Sequence, residues 1–158
     1  MSLLPTILFA VLLQSHNPMG FDQNKTTHHF ILTSSGGYIE VAVRDSSDQK
    51  NLAAIREHLA HIAAQFKAGD FKIPMLVHGE QASGAETMKR LKDRIEYQFI
   101  QVKAGARVTI TTDDRDALQA IHDFLRYQIR EHKTGDKVTV PTGATTWRQI
   151  NYTEETQP

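Results

Sequence analysis

The chain has 158 residues, with eighteen basic side chains balanced by eighteen acidic ones, and it contains no cysteine. That length suits one domain, and a hydrophobic content of 40% supplies an ordinary core. Charge balance removes the broad basic footprint of a protein that holds nucleic acid or an anionic membrane, and the absence of cysteine excludes disulfide frameworks, thiolate zinc sites and cysteine nucleophiles together.

Residues 1–15 read as a signal segment. Residues 3–13 (LLPTILFAVLL) carry no charge and are too few to cross a bilayer, but they match the apolar part of a secretory signal. No Lys or Arg precedes the run and no Ala-x-Ala follows it, so the rival reading is an apolar segment packed on the domain. The expected location is periplasmic or secreted, with cytoplasmic as the alternative and no stable membrane insertion. A single domain then covers residues 16–136.

Residues 27–33 (THHFILT) and 38–43 (YIEVAV) flank a turn and predict a β-hairpin, with Ile39, Val41 and Val43 on one side and Tyr38, Glu40 and Ala42 on the other. Asp45, Ser46 and Ser47 offer caps to an amphipathic helix whose stripe is Leu52, Ile55, Leu59, Ile62, Ala63 and Phe66, ended by Gly69. A connector over 71–95 is irregular at first and then helical over 85–94, with Met88 and Leu91 inward. The pattern returns with strands 95–102 and 107–112 around Gly105. Asp113 and Asp114 cap a second helix with the stripe Leu118, Ile121, Leu125 and Ile129, and Gly135 follows as a stop. Residues 137–158 form a polar, loosely held tail with a strand at 138–140.

Residues 27–70 and 96–136 are therefore two copies of one ββα unit. A shift of 66 pairs Leu52 with Leu118, Ile55 with Ile121, Leu59 with Leu125 and Asp70 with Asp136, with seven identities over nineteen positions. With a three-residue deletion the register continues into the hairpins at a shift of 69, pairing Phe30 with Phe99 and Gly36 with Gly105. A lone hairpin with one helix buries too little to be stable, so the expected fold is α+β: a four-stranded antiparallel sheet with two helices on one face.

Eight histidines are the one chemical enrichment. Neighbours His28 and His29 must point to opposite faces of their strand. His58 and His61 stand three apart on the first helix, where two imidazoles can meet one ion, and His78 follows Met75 in the connector. His132 is read as a cap on helix carbonyls and His122 as a boundary residue. Imidazole with thioether and without thiolate suits copper first and zinc second. The candidate metal ligands are His29, His58, His61, Met75 and His78, with Met19 also near in sequence. No H-x-x-x-H or H-E-x-x-H pair fixes two of them.

Phosphate loops, dinucleotide fingerprints and serine elbows are absent from the sequence. The acidic cluster Asp113, Asp114 and Asp116 reads as helix capping, and the basic ridge Lys89, Arg90, Lys92 and Arg94 as a solvated face rather than a nucleic-acid groove. No catalytic residue is assigned.

The strings MGFDQNKTTHHFILTSSGGYIEV, IREHLAHIAAQFKAGDF, PMLVH, MKRLK and AIHDFLRYQIREHKTGD resemble a family of small bacterial proteins with an export-like N-terminus, often automatically labelled aspartate carbamoyltransferase. The resemblance implies a shared fold and an exported location. The chain lacks the Ser-Thr-Arg-Thr loop and the two α/β domains of a carbamoyltransferase, so that activity does not carry over. The expected function is an exported accessory protein that binds a copper or zinc ion. The alternative is a module binding a small molecule or protein through the open sheet face, and an enzyme is third. The mixed polarity of that face leads to a monomer or a weak homodimer.

Overall fold

The computed structural model describes residues 19–74, 79 and 81–141. The expected signal segment, Met75, His78 and tail residues 142–158 lie outside the described residues. The elements are β1 Thr26–Thr33, β2 Gly36–Val43, α1 Gln49–Ala68, α2 Ala85–Arg90, β3 Glu96–Val102, β4 Gly105–Thr111 and α3 Arg115–His132. The strands form one antiparallel sheet in the order β1-β2-β4-β3, so the fold is the expected α+β duplication.

The two return strands are central and pair with each other. Ile39 and Val108 hold equivalent positions in the two units, 69 residues apart, and they are direct partners across the β2–β4 seam. An approximate two-fold axis therefore passes between them. The hairpins also share a register, since Phe30 faces Ile39 and Phe99 faces Val108. Phe30, Ile39, Val108 and Phe99 thus make a row across the whole sheet on the face that the helices cover. Ile39, Val41, Val43, Val108 and Ile110 are buried on that face, whereas Tyr38, Glu40, Ala42, Arg107, Thr109 and Thr111 on the other are only half-buried, as the alternation predicts.

Each helix covers the other unit's hairpin: α1 lies chiefly on β3 and β4, and α3 on β1 and β2. Phe66 of α1 and Phe124 of α3 meet edge to face at 5.5 Å, which joins the two helices in one layer. Each helix is buried chiefly by the other unit's hairpin, so the halves depend on each other to fold.

Several local features differ from the sequence reading. The cap of α1 is Asp48, whose carboxylate accepts the Asn51 N–H at 3.1 Å; Asp45 instead takes the Ser47 N–H at 2.9 Å within the preceding loop. Asp48 lies 66 residues before Asp114, the cap of α3, so the three extra residues of the first unit sit in the β2–α1 loop. The connector helix stops at Arg90, and a 3-10 turn covers Lys92–Arg94. Helix α3 ends at His132 because Lys133 adopts a left-handed conformation with φ 51°. Residues 138–140 make no strand. The tail is instead tied down at its start: Asp136 accepts the Phe30 N–H at 2.9 Å, and the Val138 carbonyl accepts from Arg126 Nε at 2.9 Å.

The seam requires close backbone approach at two equivalent points. A Cβ at Gly36 would strike the Ile110 carbonyl oxygen, and a Cβ at Gly105 would strike that of Val41, itself the counterpart of Ile110. Backbone carbonyls of paired strands cannot yield without loss of the ladder. We predict that Gly36→Ala and Gly105→Ala each lower unfolding stability by about 2–4 kcal/mol in urea titrations. A loss under about 0.5 kcal/mol in both, the ordinary range of surface changes, would show that the seam is not so constrained.

Candidate functional site

On the covered side of the sheet, α1, α3, β1, β2, the chain before β1 and residues 73–74 line a half-open cavity of about 60 Å³, large enough for a few waters or for the end of a small ligand. Its wall is mainly apolar, including Phe21, Phe30, Leu59, Ile62, Phe66 and Phe124. Met19, Gln128 and three histidines, His28, His58 and His132, complete it with Ile39, Val41, Ile73 and Pro74.

Each imidazole has a local reason for its place. His28 lies between Thr26 and Phe30 in the inward parity of β1 and faces Val41, so its ring points under the helices. His58 precedes Leu59 on the flank of the α1 stripe. His132 ends α3, one turn after Gln128 and Ile129. The rings of His28 and His132 stack at 5.3 Å with 19° between planes, and Phe30 meets His132 at 5.1 Å. Phe21 bridges to the third ring, standing 5.7 Å from His28 and 5.6 Å from His58, the latter edge-on.

The internal repeat gives these positions a reference. The counterparts of His28, His58 and His132 in the other unit are Tyr97, Phe124 and Phe66. Those three pack as an ordinary aromatic cluster, with Phe66 edge-on to Tyr97 at 6.0 Å and to Phe124 at 5.5 Å. Each station therefore carries a ring in both units, hydrocarbon or phenol in this one. All three stations in the first locus carry imidazole.

Burial, helped by the neighbouring His29, lowers the pKa of His28 to about 4. Burial first, and then His28 and His61, lowers His58 to about 4. At neutral pH both rings are neutral, each with one nitrogen able to accept a hydrogen bond or a metal and the other able to donate. Among the described residues, His28 Nε2, Gln65 Oε1 and Tyr97 Oη are buried without a hydrogen-bond partner, and of these three residues only His28 lines the cavity. A buried polar atom of that kind costs free energy unless something else satisfies it.

The sequence-proposed ligands separate. His58 and Met19 line the cavity. His29 points to the open face of the sheet, where Nδ1 lies 3.0 Å from Asp136 Oδ1. His61 is exposed on α1. Met75 and His78 lie outside the described residues. Among the described residues, no group of three or more His, Cys, Asp or Glu side chains is disposed to hold a metal ion. His28 and His132 are the additions that sequence reading did not assign to the site. Their signals were strand parity with Phe30 for His28 and equivalence to buried Phe66 for His132. His122 belongs elsewhere: it is buried and bonds the Thr33 carbonyl at 2.9 Å.

The open face is lined by a different set. Arg107 Nε donates to Glu40 Oε2 at 2.7 Å, and its guanidinium lies 4.4 Å from the centre of the Tyr38 ring. Its strongest charges are thus paired with each other. No helix among the described residues is long and apolar enough to cross a membrane. Family models, curated proteins and solved structures were each compared with the chain, and none matches it.

The depressed pKa values set a pH dependence. The unfolded chain, with histidines near 6.5, binds protons that folded His28 and His58 refuse until about pH 4. Stability contributed by these neutral rings is present above about pH 6.5 and is lost as pH falls toward 4. We expect the urea midpoint to fall through that window, and less steeply in His28→Phe. An equally steep fall in His28→Phe and in His58→Phe would contradict the assignment.

Proposed function

We propose that the protein is a binding module whose ligand is small and largely apolar, carries one polar group, and inserts that end into the histidine-lined cavity between the helices and the sheet. The observation that carries this reading is His28 Nε2, buried without a partner on the wall of an otherwise apolar cavity. Small-ligand sites share this composition, apolar walls with a few polar atoms that orient the ligand. Phe21, Phe30, Phe66 and Phe124 favour a flat ring, and the neutral imidazole of His28 can donate to or accept from its substituent. Placing the ligand in the cavity rather than on the open face rests on the pairing of Glu40, Arg107 and Tyr38 with one another.

A second reading keeps the metal ion, copper first and zinc second. It is favoured by one fact: His28, His58, His132 and Met19, from four parts of the chain, line the same cavity. Imidazole with thioether is a copper ligand set. In either reading the protein acts outside the cytoplasm, periplasmic or secreted, a placement supported by the uncharged run at residues 3–13 and by the family resemblance.

Thermal unfolding separates these readings, because a ligand that binds only the folded form raises Tm. Phenol or indole is expected to raise Tm at millimolar concentration, with phenol favoured over benzene by about tenfold through its bond to His28. In His28→Phe, which copies the aromatic station at Tyr97, that preference disappears while folding is retained. If Cu or Zn raises Tm instead, and both His28→Phe and His58→Phe abolish the rise, the metal reading holds. No response to any of these ligands would refute both.

A further inference from the structure

The two edges of the sheet are finished differently. On β1, Asp136 Oδ2 accepts the outward N–H of Phe30 at 2.9 Å. The repeat makes Asp70 the counterpart of Asp136 and Phe99 the counterpart of Phe30, so Asp70 is the residue expected to close the β3 edge in the same way. It does not: Asp70 Oδ1 accepts the Lys72 N–H at 3.0 Å and closes a local Asx turn. Among the described residues no hydrogen bond reaches the outward N–H of Phe99. Because the two hairpins share a register, Tyr97 and Gln101 present their main-chain groups outward on either side of it.

We propose that β3 is a homotypic docking edge, pairing antiparallel with β3 of a second copy about a dyad at Phe99 and joining two four-stranded sheets into one. The strand, EYQFIQV, has no Pro, Gly or Lys, the residues with which natural edges discourage pairing. It is close to its own complement. With Phe99 opposite Phe99, Tyr97 meets Gln101 of the partner subunit, Gln98 meets Ile100 and Glu96 meets Val102. The one charge in the strand, Glu96, lies three residues from the dyad, so the two copies' carboxylates stay about 20 Å apart. A dyad perpendicular to the sheet keeps the helices of both copies on one side, and half-buried Phe99 and Ile100 gain cover on their own faces. About six main-chain bonds form. The interface is small, so the dimer exchanges rapidly. A foreign extended peptide can satisfy the same main-chain groups, but the strand's self-complementarity favours a second copy.

Sedimentation velocity on the full chain from about 5 to about 500 µM, the range in which weak pairs populate, tests this. The expected result is a mass that rises from monomer toward dimer. Two edge variants should remain monomeric over that range with unchanged circular dichroism. Gln101→Pro removes an outward donor, and Gln98→Lys brings two cations within about 7–8 Å across the dyad. Thr109→Lys, on central strand β4 and facing away from the helices, should leave association intact. If Gln101→Pro fails to fold, Gln98→Lys decides. A monomer at every concentration overturns the proposal and leaves the edge to an extended peptide. Association abolished by Thr109→Lys but not by the edge variants also overturns it, in favour of face-to-face stacking.

Discussion

The β2–β4 seam is the interaction on which everything else depends. Ile39 and Val108 face each other at the pseudo-two-fold axis, and Gly36 and Gly105 let each central strand approach a carbonyl of the other, that of Ile110 and that of Val41. Because the return strands pair, each helix reaches across and covers the opposite hairpin. Loss of the seam removes the floor beneath both helices at once, which makes the duplicated chain one cooperative unit rather than two small domains.

Duplication also supplies a built-in control for function. The two halves impose the same shape on their residues, so a difference in residue type at equivalent stations reports a difference in demand. At Tyr97, Phe124 and Phe66 the rings are phenol or hydrocarbon, and two of them, Phe66 and Phe124, also line the cavity. At His132, His28 and His58 the same packing is met by rings that add nitrogen atoms to an apolar wall, and burial holds two of them neutral. Imidazole is costlier to bury than phenyl, and a core that needed only a ring has no reason to choose it three times. The asymmetry at Asp70 and Asp136 is of the same kind: Asp136 bonds the β1 edge, whereas Asp70 bonds Lys72 within its own turn.

The fold was legible because its signals are local and repeated. Alternation in YIEVAV placed Ile39, Val41 and Val43 inward, and the constant shift between Leu52 and Leu118 announced the second helix. The sheet order was not legible, since two hairpins can join through either strand and the choice of β2 with β4 is made by contacts far apart in the chain. The site was legible only in part. His58 could be placed on a flank by helical spacing, but His28 and His29 differ only in parity, and parity matters only once the covered face is known. Its place at a helix end makes His132 look like a cap; its stacking on His28 depends on α3 lying over β1, which no short-range pattern reports. The tail's anchor at Asp136 was missed for a related reason: the N–H it satisfies belongs to Phe30, a strand residue 106 positions away.

We place the ligand in the imidazole-lined cavity and not on the open sheet face. Chemical-shift mapping with indole on uniformly labelled protein tests it most directly. Perturbations are expected on His28, His58, Leu59 and Phe124, with the His28 imidazole resonances among the largest. Perturbations confined to Tyr38, Ile100 and Arg107, or no perturbation at saturating indole, would contradict it.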